Sequence, residues 1–153
     1  MWKLNKLKPL LITKRYNTIK YEYKGQKKDY SYYSFISKTL IDLKPYHNLF
    51  HDYPTNINEI LSRLDLQGLA VWYMDDGSFF YRNKTATLAV MTFKEEQVKY
   101  TCDWFKNRWE LEVRPTKHIR RNKILYSIRF NVKETEKFLK LIRPYIPRCM
   151  SYK

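Results

Sequence analysis

Between Leu64 and Met74 the chain carries Leu64, Leu66, Leu69, Ala70, Val71, Trp72, Tyr73 and Met74, and after Asp65 the only polar side chain is Gln67. The pattern is helical from Asn58 onward, and a helix that is apolar around its whole circumference must be buried on every face. The run stops at Asp75-Asp76-Gly77, where Gly77 is placed to be the left-handed residue just past a helix end. Both carboxylates then sit where unpaired carbonyls already concentrate negative charge, so a positive species is required to compensate. An isolated Asp-Asp-Gly is ordinarily a solvated turn. Behind a buried helix, the same carboxylates suit a hard divalent cation such as Mg2+, which takes oxygen ligands and retains waters able to attack a phosphate.

The rest of the chain alternates hairpins with helices. Leu10 to Tyr23 and Lys28 to Ser37 read as strands joined by a polar turn at Gly25. Lys38 to Phe50 reads as a short helix interrupted by Pro45, with a loop at His51-Asp52-Tyr53-Pro54. After the apolar helix, Ser78 to Arg82 and Thr85 to Met91 alternate around Asn83-Lys84 as a second hairpin. Thr92 with Glu95 has the spacing of a capping box, with Val98, Cys102, Phe105 and Trp109 at helical intervals behind it. Leu111 to Ile119 and Lys123 to Phe130 form a third hairpin across Arg120-Arg121-Asn122. Asn131 with Glu134 then caps a last helix that presents Phe138, Leu141 and Ile142 inward and ends at Pro144. Segregated helices and antiparallel hairpins define an α+β fold. A strand followed by Leu43-Lys44-Pro45-Tyr46 is echoed by a strand followed by Ile142-Arg143-Pro144-Tyr145, which points to a duplicated plan.

Thirty basic residues against fifteen acidic ones leave a formal net charge of +15, and 17% of the residues are aromatic. That combination suits a polyanion whose phosphates are neutralised and whose bases or sugars are touched by rings. Alternation in the third hairpin places Val113, Ile119, Ile124, Tyr126, Ile128 and Phe130 on one face and Arg114, Thr116, His118, Arg120, Lys123, Ser127 and Arg129 on the other. Arg121 lies in the turn. Arg82, Lys84, Thr85 and Thr87 extend the basic face in the second hairpin, and Arg15, Lys20, Lys27 and Lys28 do so in the first. No apolar run is long enough to cross a bilayer. Cys102 and Cys149 lack a zinc-ligand spacing, which favours a reducing compartment, and His47, His51 and His118 form no metal-site spacing.

The stretch Leu69-Ala70-Val71-Trp72-Tyr73-Met74-Asp75-Asp76-Gly77 resembles the nine-residue motif of the LAGLIDADG homing endonucleases. The resemblance extends to Tyr53-Pro54-Thr55-Asn56-Ile57, to Thr92-Phe93, and to Arg143-Pro144-Tyr145-Ile146-Pro147 with Met150, Tyr152 and Lys153. It implies a LAGLIDADG-like fold in which two acidic helices pack side by side and antiparallel hairpins form a concave basic sheet. It also implies that Asp76, eighth in the motif, holds the divalent metal. Asp75 contributes mainly its backbone carbonyl, and Lys153 falls on the family's basic residue near the phosphate. On this plan, residues 1–55 are the remnant of a first half and residues 56–153 a complete second half.

Three positions depart from the family pattern. Val71 replaces the small third residue and hinders close helix packing, which Gly68 and Ala70 relieve. His51 stands where related double-motif enzymes often carry a lysine, and no first motif helix lies upstream. The expected activity is therefore metal-dependent hydrolysis of DNA phosphodiesters once a second acidic helix is supplied, with the chain alone making no double-strand breaks. A second chain or copy is expected on helix 58–76, covering Leu69, Trp72 and Tyr73. The competing reading is a non-catalytic RNA-binding descendant, an intron maturase or a component of an RNA–protein assembly such as an organellar ribosome. Both readings place the protein in an organelle, the mitochondrion.

Overall fold

The computed structural model describes residues 11–23, 25–37, 41, 44–51 and 56–151. The chain divides into two compact units, residues 1–45 and 46–153, a boundary earlier than the expected 55/56. Lys153, Tyr152, the Asp52-Tyr53-Pro54 loop and Lys38 to Leu40 lie outside the described residues.

The first unit contains an antiparallel hairpin of β1 (Leu11–Tyr23) and β2 (Gln26–Ser37). Gly25 takes φ +75° in its turn, a conformation that a Cβ would strain. Pairing Tyr16 with Tyr33 and Lys20 with Asp29 sets the register. The two tyrosine rings meet at 5.2 Å.

Helix α1 (Lys44–His51) follows, and Pro45 lies in its first turn. The proline thus opens a helix instead of interrupting one, because a first-turn nitrogen needs no partner. The expected helix from Asn58 to Asp76 is two helices, α2 (Ile57–Arg63) and α3 (Leu66–Asp76). Asp65 separates them. Its extended backbone caps α3 while Oδ1 accepts a 2.7 Å hydrogen bond from the Gly68 N–H.

From α3 the chain turns directly into β3 (Gly77–Phe80) and β4 (Thr85–Ala89), crosses α4 (Glu95–Trp109), makes β5 (Arg114–Arg120) and β6 (Lys123–Phe130), and closes with α5 (Val132–Ile142) and two 3-10 turns. The antiparallel sheet has the order β3-β4-β6-β5. Helices α3, α4 and α5 pack on one of its faces. Phe138 of α5 stacks on Phe130 of β6 at 4.5 Å, Tyr73 of α3 meets Phe138 edge-on at 5.1 Å, and Phe105 of α4 reaches Phe130 at 5.4 Å. All four rings are fully buried. Thr135 ties the layers together, since its Oγ1 accepts from the Ala86 N–H at 2.9 Å and donates to the Phe130 carbonyl at 3.3 Å.

Three local expectations need correction. Gly77 is extended, with φ −85° and ψ 153°. It must be glycine for another reason: a Cβ there would overlap the ring and carbonyl oxygen of Tyr73. Helix α4 is not capped by Thr92 and Glu95. It begins two residues later, with the Lys94 N–H donating to Gln97 Oε1 at 2.7 Å. Ile119 and Ile124 are opposite each other on the helix-side face yet 78% and 52% exposed, because the β5–β6 tip runs past the helices that cover Tyr126 and Ile128.

The close approach at Gly77 generates a stability test. Gly77→Ala is expected to lower unfolding free energy by about 2–3 kcal/mol, the upper part of the range of about 1–3 kcal/mol for forcing extra volume into a packed site. Urea titration followed by circular dichroism measures it, and a midpoint equal to the wild type would contradict the packing described.

Candidate nucleic-acid interface and acidic helix end

The sheet's two faces differ in charge as sharply as in burial. Cross-strand register places Ser78, Thr87, Arg129 and Arg114 in one row across all four strands. Ala89, Ser127 and Thr116 form the next row, followed by the pairs Leu125–His118 and Lys123–Arg120. These side chains occupy the face away from the helices. None is acidic, and from Ile57 onward no strand carries Asp or Glu. The alternation read from sequence is therefore correct for Arg114, Thr116, His118, Arg120, Lys123 and Arg129, whereas Thr85 and Ser127 on the same face are buried.

Carboxylates are instead paired on helices. Glu59 binds Arg63 at 2.7 Å, Glu95 binds Lys99 at 3.0 Å, and Glu136 binds Lys140 at 2.8 Å. Hydrogen bonding from Lys99, then from Tyr126, holds the Glu95 carboxyl below its usual range. Glu134 is 4% exposed, with Oε1 3.4 Å from Lys137 Nζ and Oε2 accepting from the Glu112 N–H at 3.1 Å. Among the described residues, no Arg or Lys of the open face forms an ion pair. A field of one sign is left facing solvent.

The turns add to that field. Arg121 and Asn122, at φ 50° and 60°, make the two-residue left-handed turn that suits hairpin twist, and Arg121 is exposed at the tip. Arg82 and Lys84 occupy the exposed turn between β3 and β4. In the first unit the predicted basic residues do not share one surface. Lys20 and Lys27 lie on the face that also carries Glu22 and Asp29, while Arg15 and Lys28 lie on the other, with Tyr21, Tyr30 and Tyr32.

At the β3 edge stand Asp75 and Asp76, both exposed at the end of α3, with no basic residue in that helix's last turn. Oxygen donors at a helix C-terminus fit a hard divalent cation. Among the described residues no three His, Cys, Asp or Glu side chains converge as a complete cage, so these carboxylates suit an open site whose other ligands are waters and phosphate. Burial, and next the neighbouring Tyr81, pushes the Tyr73 hydroxyl up to about 12, which keeps it neutral and unfit as a base. The Cys102 thiol rises to about 11 by burial and the nearby Asp103, so it is not a nucleophile.

Helix α3 is not buried all round. Leu69, Ala70, Tyr73 and Met74 face the chain's own core. The face left open is a groove of about 790 Å³ whose lining includes Phe50, Ile57, Leu64, Gly68, Val71 and Trp72. This corrects the expected patch: Leu69 and Tyr73 are already covered, and Trp72 is shared, half-buried, with rings of Phe93 and Phe105 at 6.4 and 6.5 Å. Ala70 points inward, so only Gly68 offsets the bulk of Val71 along the groove. His51 ends α1, exposed, with its ring 5.6 Å from that of His47.

Comparisons with known proteins agree with this arrangement. The fold superposes on the homing endonuclease I-WcaI, solved bound to its DNA recognition sequence, with a TM-score of 0.77 at 20% identity, covering 98% of this chain and 67% of that one. The architecture is thus that of a homing endonuclease. In sequence the chain is 30% identical over 98 residues to the probable intron-encoded DNA endonuclease 3 of Mycosarcoma maydis, covering 64% of this chain and 69% of the relative. It is 23% identical over 138 residues to the intron-encoded endonuclease ai4 of Dictyostelium discoideum, covering 88% and 84%. Residues 1–138 match the LAGLIDADG DNA endonuclease family, and the chain belongs to that family.

Unpaired charge on the open face separates function from stability. Arg114→Ala with Arg129→Ala is expected to change unfolding free energy by no more than about 0.5 kcal/mol. Glu134→Ala, which removes the buried carboxylate that accepts from the Glu112 N–H and pairs with Lys137, is expected to cost about 2 kcal/mol. Thermal denaturation of the two variants compares them directly; a larger loss in the arginine variant would mean those side chains serve the fold.

Proposed function

We propose that this chain binds duplex DNA through the open face of β3-β4-β6-β5 and contributes one half of a metal-dependent phosphodiester-cleaving centre. The observation that carries the reading is the segregation of charge: an acid-free sheet face of unpaired basic residues, with two carboxylates where its edge strand begins. Arg120, Arg121, Lys123, Arg82 and Lys84 neutralise phosphates, while Arg114, Thr116, His118 and Arg129 lie where a strand ribbon presents side chains to a major groove. Within the first hairpin, Arg15 and Lys28 on one face, and Lys20 and Lys27 on the other, supply further positive charge for phosphates. The relatives' names favour DNA over RNA as the target. Their intron-encoded character fits a mobile-intron origin and an organellar, mitochondrial place of action.

Asp76 would hold the divalent cation, with Asp75 beside it, and Lys153 would stabilise charge at the phosphate. When bound, the cation supplies Lewis-acid polarisation of the phosphate and a more acidic water. Cutting both strands needs two such acidic helix ends, and this chain holds one. The groove along Gly68, Val71 and Trp72 is where we place a second acidic helix, from a second copy or a separate chain. On the same reading, residues 1–55 and 56–153 belong to two successive halves.

Two measurements test this proposal. Asp76→Asn is expected to abolish Mg2+-dependent nicking of duplex DNA while leaving affinity unchanged or raised, since a charge that repels phosphate is removed; retained cleavage would place the chemistry elsewhere. Trp72→Glu is expected to weaken self-association at least about tenfold in sedimentation velocity, and an unaltered monomer–dimer balance would assign the groove to another occupant.

A further inference from the structure

One side chain on the basic face differs in kind from the arginines and lysines around it. His118 stands on β5 between Thr116 and Arg120, and its Nε2 lies 2.9 Å from Oγ of Ser127 on β6. Ser127 is 6% exposed, whereas His118 is exposed. The ring is therefore anchored from beneath by a buried hydroxyl. Arg114, Arg120, Lys123 and Arg129 have no such anchor among the described residues.

The anchor also sets the ring's tautomer. A hydroxyl carries one proton, and burying it without an acceptor costs more than the hydrogen bond yields. His118 is the one acceptor within hydrogen-bonding distance of Ser127 Oγ among the described residues. Ser127 thus donates to Nε2, and in the neutral ring the proton then sits on Nδ1. What the face offers at this point is a positioned Nδ1–H donor, amid long cations that can follow a phosphate wherever it lies.

We propose that His118 is a specificity-determining residue and Ser127 its positioning residue, with Nδ1–H of His118 donating to the N7 of a purine in the major groove. The inference rests on the open face being the DNA-binding surface. A purine N7 is an acceptor on the exposed edge of every A and G and is absent from pyrimidines; thymine O4 also accepts but lies elsewhere on the edge, so a donor held at the N7 position favours purine. Holding the ring in advance reduces the ordering cost that a free side chain meets on contact.

The test is selection of bound duplexes from a DNA library with a randomised core, using the full-length protein. His118→Ala and Ser127→Ala are each expected to relax a purine preference at the same single position by about tenfold, while the salt dependence of overall affinity stays as in the wild type. Ser127→Thr, which keeps the hydroxyl, is expected to restore the preference. The assignment is overturned if Ser127→Ala selects the wild-type sequences, if Ser127→Thr behaves like the alanine variant, or if His118→Ala weakens all duplexes uniformly as loss of a phosphate contact does. Thermal melts exclude unfolding as the cause, and His118→Ala, at an exposed position, provides a variant that leaves the core intact. Failure of the unmutated protein to retain any duplex would instead remove the DNA-binding reading beneath it, and is distinguishable because no variant is involved.

Discussion

The second unit depends on a single aromatic junction. Phe138 is stacked on Phe130 and met edge-on by Tyr73, so one ring of α5 holds both the sheet and the motif helix in place. Aromatic contacts of this kind contribute about 0.5–1.5 kcal/mol each beyond the area they bury. Their geometric effect is larger. With α3, α4 and α5 committed to one face of the sheet, Arg114, Arg120, Lys123 and Arg129 stand exposed on the opposite face, where residues can be selected for charge without loss of packing. The same junction fixes where α3 ends, and Gly77, pressed against Tyr73, carries the chain from Asp76 straight into the edge strand.

Charge follows the same division. Carboxylates are consumed by helix pairs such as Glu95–Lys99 and Glu136–Lys140, exposed ion pairs of small energetic worth. Their arrangement has a positional consequence, because acids kept on the helices leave β3, β4, β5 and β6 free of negative charge. Asp75 and Asp76 differ in position, since they lie at a helix end with no basic residue in the last turn. Arg114, Arg120, Lys123 and Arg129 thereby gather on one sheet face instead of being spread as a uniform coat.

Much of this was legible in the sequence, and the misses have identifiable causes. Period-2 alternation separated Arg114, Thr116 and His118 from Tyr126 and Ile128, but it reports only which face a residue takes. Whether a helix lies over that face is a tertiary fact, hence the exposed Ile119 and Ile124. Asp65 read as a polar interruption within one helix, since its role as a cap depends on an extended backbone that spacing does not reveal. Gly77 reads from sequence as a left-handed helix end but is extended, and the tight approach of Tyr73 that requires a glycine there has no local signature. Lys20 and Lys27 fell on a different face from Arg15 and Lys28 because register, set by the turn, decides which basic residues become neighbours. The anchoring of His118 by Ser127 was invisible for the same reason, as the two are diagonal across strands.

The β5–β6 tip, where Ile119 and Ile124 face one another beyond the reach of the helices, is mechanically a cantilever. Its root is clamped by Tyr126, Ile128 and Phe130, and its exposed end is joined by backbone pairing and a two-residue turn. Substitutions there have little effect on the clamped part. A lineage carrying this chain can thus exchange residues at the tip, including Arg120, Arg121 and Lys123, without endangering the core. Recognition is in this sense insulated from folding, and the two can evolve at different rates within fewer than twenty consecutive residues, from Arg114 to Phe130.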